Sequence, residues 1–281
     1  MATLLSKAQA LARPERIIYT TTAATALLAL LAYSRHCYAE WHALGEGGVP
    51  RDVRGWLINV VAHVVARRDQ RAVPAPYEKD GSAIVLSARE EETYGACART
   101  SFFANGFSLP LYNGPRPTVP TTVVPQRQTS RVATDDVLKA QTAYLRAIAA
   151  ANPVLFAMKP SALESPDFDA LWVIPGAKGK VDPDAVKWFP ARARGEVVHV
   201  HPEGSMHVCL SLVDAAEVVR CGWGERHKMS GVMLPWGYVM VYAPREGADG
   251  KRDWGVWREI VIAAARVGAR SSGFEGEVVV V

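Results

Sequence analysis

The strongest hydrophobic signal lies near the N-terminus, where IIYTTTAATALLALLAYS, 17–34, carries no charged residue and is bracketed by Arg13, Glu15 and Arg16 on one side and Arg35 on the other. A helix of that length is about 27 Å long, enough for a thin bilayer such as the endoplasmic reticulum, and its threonines can bond back to their own backbone. The segment predicts a single-pass anchor. The rival is a secretory signal peptide, because Ala32 and Ser34 are small residues at a cleavage-like spacing. The absence of an N-x-[ST] sequon favours an anchor with its body in the cytosol. Lys7, Arg13 and Arg16 before the span balance Arg35, Arg51 and Arg54 after it, so the positive-inside rule adds little.

Past the glycine-rich GEGGVP, 45–50, the residues Trp56, Leu57, Val60, Val61, Val64 and Val65 recur at helical spacing within 52–68. This amphipathic helix is read first as an ordinary core-packing helix. The alternative is an interfacial helix whose Arg54, Arg67, Arg68 and Arg71 face lipid phosphates. From 73 to 125 proline and glycine predict mostly loop, and RPTVPTTVVPQRQT, 116–129, an edge strand or a surface-crossing segment. Thr134 should cap a helix running to Ala151, with Val137, Leu138, Gln141, Tyr144, Leu145 and Ile148 on one face. A strand is expected at 168–174, a charged loop at 176–194, two strands in EVVHVHP and SMHVCLSLVD joined by a turn at Pro202-Glu203-Gly204, and a further strand at 236–243. Trp257, Ile260, Val261 and Ala264 place a helix at 253–268.

The fold class is therefore α+β, a mainly antiparallel sheet packed by helices, with an N-terminal transmembrane anchor. Its parts are an anchor segment at 1–35, a linker with the amphipathic helix at 36–72, and a catalytic domain at 73–281.

Composition narrows the function. Of the 281 residues 49% are hydrophobic and 21% charged, a proportion that builds a globular core. A net charge of +4 with no Lys/Arg run beyond Arg67-Arg68 argues against nucleic acid. Cys37, Cys97, Cys209 and Cys221 show neither a CxxC nor a disulfide framework. Without a βαβ repeat or a glycine fingerprint, no nucleotide cofactor is expected.

The chemistry concentrates after residue 195. Seven histidines occur in the chain, and three of them fall within 199–207. Alternation puts His199 and His201 on one face of the first strand and His207, Cys209 and Ser211 on one face of the second, with Val198, Val200, Val208, Leu210 and Leu212 opposite. Pairing the apolar faces, for example Val200 opposite Val208, sets His199 beside Cys209 and His201 beside His207. Gly222 and Gly224 mark a turn that aims Arg226 and His227. These imidazoles, with Glu196 and Arg226, suit proton abstraction or oxyanion stabilisation; the same pattern would also serve a solvated sheet face. If a metal binds, its ligands are His199 and His201 with His207, or else Cys209, as the third. That reading ranks second, because Glu196 falls on the opposite parity and no zinc spacing is present. Arg245, just past the strand at 236–243, either enters the pocket or forms an ion pair at the strand end.

EVVHVHPEGSMHVCLSLVDAAEVVRCGWGERHKMSG, followed by LPWGYVMVYAPRE, resembles the luciferase-like domain family of the fungal luciferases. The N-terminal anchor, VRGWLINVVAHVVAR and RPTVPTTVVPQRQT extend the resemblance over most of the chain. It implies a membrane-anchored oxygenase that adds molecular oxygen to a 3-hydroxy-2-pyrone or related enol, with no flavin, haem or other organic cofactor. His199, His201, His227, Arg226 and Glu196 are the matching residues, and His207 joins them. The chain departs from the luciferases at Pro202-Glu203-Gly204, His207 and Cys209. The resemblance thus implies a homologue in secondary metabolism rather than a light emitter, with a small-molecule substrate and membrane lipid as partners.

Overall fold

In a computed structural model that describes residues 14–72, 84–174, 195–245 and 250–281, six strands form one antiparallel sheet. In chain order they are β1 (Phe156–Pro160), β2 (Asp169–Val173), β3 (Glu196–Val200), β4 (Met206–Cys209), β5 (Gly224–Arg226) and β6 (Tyr238–Val241). Their order across the sheet is β1-β2-β3-β4-β6-β5. The helices are α1 (Pro14–Ala43), α2 (Val53–Val65), α3 (Ala88–Tyr94), α4 (Asp135–Ala151), α5 (Leu212–Cys221) and α6 (Gly250–Ser271). The charged loop expected at 176–194 lies outside the described residues.

The α+β reading holds, and alternation divides the sheet chemically. Leu171, Val198, Val208 and Val239 are register partners across four strands and share one face. They join a single core with Leu145 and Ile148 of α4 and Trp257, Ile260, Val261 and Ala264 of α6. Each such aliphatic side chain contributes about 1.5–3 kcal/mol by leaving water. The opposite row is Ala170, His199, His207 and Met240. No helix of that core covers it. The segment 116–131 crosses it instead, burying Gln126, Arg127 and Gln128. Of the two expectations for this segment the crossing one holds and the edge strand does not: its backbone is irregular, and its polar side chains bind the sheet in place of a ladder.

The register of the β3–β4 hairpin is shifted by two residues from expectation. Val198, not Val200, faces Val208, and His199 faces His207. The turn sets this: the His201 N–H donates to the Ser205 carbonyl (2.8 Å) and the Gly204 N–H to the His201 carbonyl (2.9 Å), so pairing begins at Val200 and Met206. Gly204 has φ +90°, and a Cβ there would lie 2.3 Å from Ala133 Cβ. Gln141 of α4 donates to the Gly204 carbonyl (2.8 Å) and pins the turn to the helix layer.

Three further differences have local causes. The second strand ends at Cys209, and Ser211 leaves it to cap α5, its Oγ accepting the Asp214 N–H (3.1 Å). Leu212 therefore lies in a helix rather than on the strand. The turn expected at Gly222 and Gly224 joins α5 to β5: Gly222 ends the helix in the left-handed conformation and Gly224 starts the strand. Strand β1 was not expected, and it pairs along its whole length with β2.

Helix α1 is longer than the expected span. It is the one helix among the described residues long and apolar enough to cross a membrane, and Ile17–Ala43 is exposed along its apolar window. Its last turns dock onto the protein. Trp41 is buried, and its indole N–H donates to the Val124 carbonyl (2.7 Å).

The core-packing reading of α2 is overturned. Asp52 caps it through bonds from the Arg54 and Gly55 N–H groups, but the residues it buries are Gly55 and Asn59. Asn59 Oδ1 accepts the N–H groups of Val123 (2.8 Å) and Val124 (3.1 Å). A Cβ at Gly55 would lie 1.8 Å from the Pro50 carbonyl oxygen, so only glycine allows this close approach. Leu57, Val60, Val61, Val64 and Val65 consequently point outward, with Val64 at 84% exposure.

Candidate functional site

The histidine face carries the polar centre of the molecule. His199 and His207 are cross-strand partners, and His201 begins the turn between their strands. His207 Nδ1 lies 3.2 Å from His199 Nε2 and 3.1 Å from His201 Nε2. All three rings are buried.

Glu196 reaches this cluster although strict alternation assigns it to the other face. The pairing of β2 with β3 shifts between Leu171 and Trp172, leaving Val197 as the extra residue of a bulge. The bulge returns Glu196 to the histidine side, where Oε1 accepts from His199 Nδ1 (2.6 Å) and from Ser161 Oγ (2.7 Å). The opposite-parity assignment is thereby corrected. His201 Nδ1 is 2.8 Å from Ser205 Oγ, which in turn donates to Glu203. Both rings thus have partners on Nδ1 that turn Nε2 toward His207.

Two charged contributors were not evident from the sequence. Glu164, from the β1–β2 connection, places Oε1 3.7 Å from His201 Nε2 and 4.0 Å from His199 Nε2. Arg127, from the crossing segment, forms a buried ion pair with Glu164 (2.7 Å) and also donates to the carbonyls of Leu44 and Glu46. The only sequence signal was the polar trio Gln126-Arg127-Gln128 within a proline- and valine-rich stretch. Glu164 had none.

His227 lies at the margin. Its ring is 5.2 Å from that of His207 and 5.6 Å from that of Tyr238, which stacks on His207 at 4.9 Å. Arg226 is not brought into the cluster: it pairs with Val239 on the apolar side, and its guanidinium sits 4.8 Å over the Trp236 ring. Arg245 forms an ion pair with buried Asp253 (2.5 Å) and rests over Tyr112, which agrees with the strand-end reading.

Burial sets the protonation states. It drives His207 well below the usual imidazole range, reinforced by His201 and His199. Burial likewise lowers His201 against the opposing pull of Glu203. His227 falls to about 3, through burial and then Lys228. Burial alone would raise Glu203, yet His201, Ser205 and Arg127 outweigh it and hold the carboxyl low. The Cys209 thiol is pushed well up by burial and is no nucleophile. The site is a set of buried imidazoles backed by carboxylates. It can accept protons, orient donors, or ligate a cation through Glu164, His199, His201 and His207, whose ligand atoms all lie within 4.8 Å of one another.

Fold and site together define an α+β protein whose chemistry is a buried polyhistidine centre on the outer face of an antiparallel sheet. Residues 194–264 match the model of the Luciferase domain family. The chain is 26% identical to a luciferase of Armillaria ostoyae and 27% identical to one of Armillaria mellea, in each case over 82% of both chains. It is 31% identical to a luciferase of Neonothopanus nambi over 21% of this chain and 24% of that one. No solved structure matches it. The chain is thus similar to the fungal luciferases over most of its length, with the match to the Luciferase domain family lying in residues 194–264.

Proposed function

We propose that this protein is a membrane-anchored oxygenase of fungal-luciferase type, adding O2 to an electron-rich 3-hydroxy-2-pyrone or related enol without an organic cofactor. The observation that carries the reading is the buried cluster of imidazoles inside the matched segment 194–264. A neutral imidazole takes the enol proton, and the enolate carbon then gives an electron pair to O2, forming a C–O bond and a peroxide. The peroxide closes on the lactone carbonyl. Cleavage of its O–O bond with loss of CO2 leaves one oxygen atom in the CO2 and the other in the product. Glu196 orients His199, and buried donors hold the developing negative charge.

Substrate access is assigned to a cavity of about 700 Å³ that Glu225, beside the histidine row, lines together with Arg71, Arg116 and Lys228. Its cations suit an acidic enol. A larger cavity between Phe102, Phe103, Arg266 and Phe274 lies against α6, on the helix side of the sheet. The exposed apolar band of α2 and the bare length of α1 support attachment to a membrane, with α1 crossing the endoplasmic reticulum bilayer and the domain in the cytosol.

Oxygen uptake and CO2 release by the full-length protein in detergent, with a hispidin-type 3-hydroxy-2-pyrone, test the reaction. Uptake above that of the pyrone alone is expected. Rates equal to that background across pyrones and simple enols overturn the reading. Deleting residues 1–35 is expected to release the protein from membranes partly, because α2 remains; unchanged pelleting would show that α1 is not the main anchor.

A further inference from the structure

We propose that Glu164, His199, His201 and His207 form the binding site of one divalent first-row transition-metal ion, with His199 Nε2, His201 Nε2, His207 Nδ1 and Glu164 Oε1 as its ligands. In a tetrahedral site with metal–nitrogen bonds near 2.05 Å, ligand nitrogens stand about 3.3–3.4 Å apart. The two nitrogen–nitrogen distances to His207 Nδ1 are 3.2 and 3.1 Å. Glu164 Oε1 closes the set at 3.7 and 4.0 Å. The four ligand atoms, all within 4.8 Å of one another, surround a volume of ionic size.

Proton accounting points the same way. His199 Nδ1 carries its proton toward Glu196. His201 Nδ1 donates to Ser205 Oγ, because that hydroxyl spends its own proton on Glu203. With neutral rings both Nε2 atoms are lone pairs aimed at His207 Nδ1, and at most one proton is there to share among the three converging nitrogens. A cation placed among the three nitrogens accepts every converging lone pair.

The carboxylates of Glu164, Glu196 and Glu203 contact the imidazoles, and among the described residues Arg127 is the cation that faces them. Three imidazoles and one carboxylate select zinc, iron, manganese, cobalt or nickel over magnesium or calcium. Outer contacts orient three of the four ligands, Glu196 on His199, Ser205 on His201 and Arg127 on Glu164, while Tyr238 stacks on the His207 ring. Alternation alone placed no carboxylate on this face. The loop that carries Glu164 supplies the missing ligand.

The assignment does not rest on the oxygenase reading, because metal content reports it without turnover. Full-length protein purified in detergent from metal-supplemented medium is analysed by elemental mass spectrometry. It is then stripped with chelator and titrated with Co2+, which reports tetrahedral nitrogen–oxygen ligation in its visible spectrum. About one metal per chain and a saturable Co2+ spectrum are expected. Glu196→Gln should weaken Co2+ binding about 10–100-fold, and His207→Ala should abolish the spectrum, whereas His227→Ala should keep it. Should His207→Ala not fold, the wild-type titration decides alone. Absence of both bound metal and any Co2+ spectrum in the folded wild type overturns the proposal, as does a spectrum unchanged in folded His207→Ala. Metal-loaded protein that consumes no oxygen upholds this assignment while overturning the oxygenase reading.

Discussion

The two faces of the β3–β4 hairpin are built from alternate residues of the same strands, yet they are held by different forces. Toward α4 and α6, Val198 and Val208 are held by burial among many aliphatic neighbours. Contacts there are numerous, small and interchangeable. Toward the crossing segment, His199 and His207 are held by a few directional bonds, each with a named partner. The first face is built for stability and the second is the one to which chemistry is assigned in the proposed function, and substitutions should separate them.

The largest stability loss is expected from Trp257→Ala, which removes a fully buried ring stacked on Trp254 at 5.0 Å. A loss of about 3–5 kcal/mol in denaturant unfolding is expected, while the protein that remains folded keeps its metal content. Loss of metal in the folded fraction would show that the two faces are coupled. Arg127→Met comes next, at about 3 kcal/mol, because it strands the buried Glu164 carboxylate; adding Glu164→Gln should recover part of that loss. Failure of the double variant to recover would mean that Arg127 acts mainly through its bonds to Leu44 and Glu46.

His199→Ala should cost only about 1 kcal/mol, since Glu196 retains Ser161 Oγ and the Ala162 N–H, while oxygen uptake is lost. Unfolding as severe as that of Trp257→Ala would make the histidine a core residue instead. The smallest stability effect is expected outside the sheet. Val61→Ser with Val64→Ser on α2 should shift the unfolding free energy by no more than about 0.5 kcal/mol, because both residues are exposed. Binding of the 1–35 deletion to anionic vesicles should nevertheless fall. Unchanged vesicle binding would remove α2 from the membrane contact.

Much of this division was legible along the chain. Alternation in VHV, 198–200, and MHVC separates valines from histidines whatever the register, so a slip of two residues exchanged the histidine partners but left both faces intact. The helix from Thr134 to Ala151 was legible from its cap and its 3.6-residue period, and four residues of the expected face, Gln141, Tyr144, Leu145 and Ile148, are buried. The outward turn of α2 was not legible. Periodicity reports that a stripe exists, while what it faces depends on Asn59 and Gly55 docking first.

Local pattern thus determined the elements, the apolar core and the clustering of three histidines, because each follows from side-chain spacing within a short segment. Tertiary structure decided the rest. It took a bulge at Val197 to turn Glu196 toward His199, and two irregular segments to carry Arg127 and Glu164 onto the cluster. Loops have no period from which a side chain's direction can be read, so the charges that complete the site become visible only once the chain has closed around it.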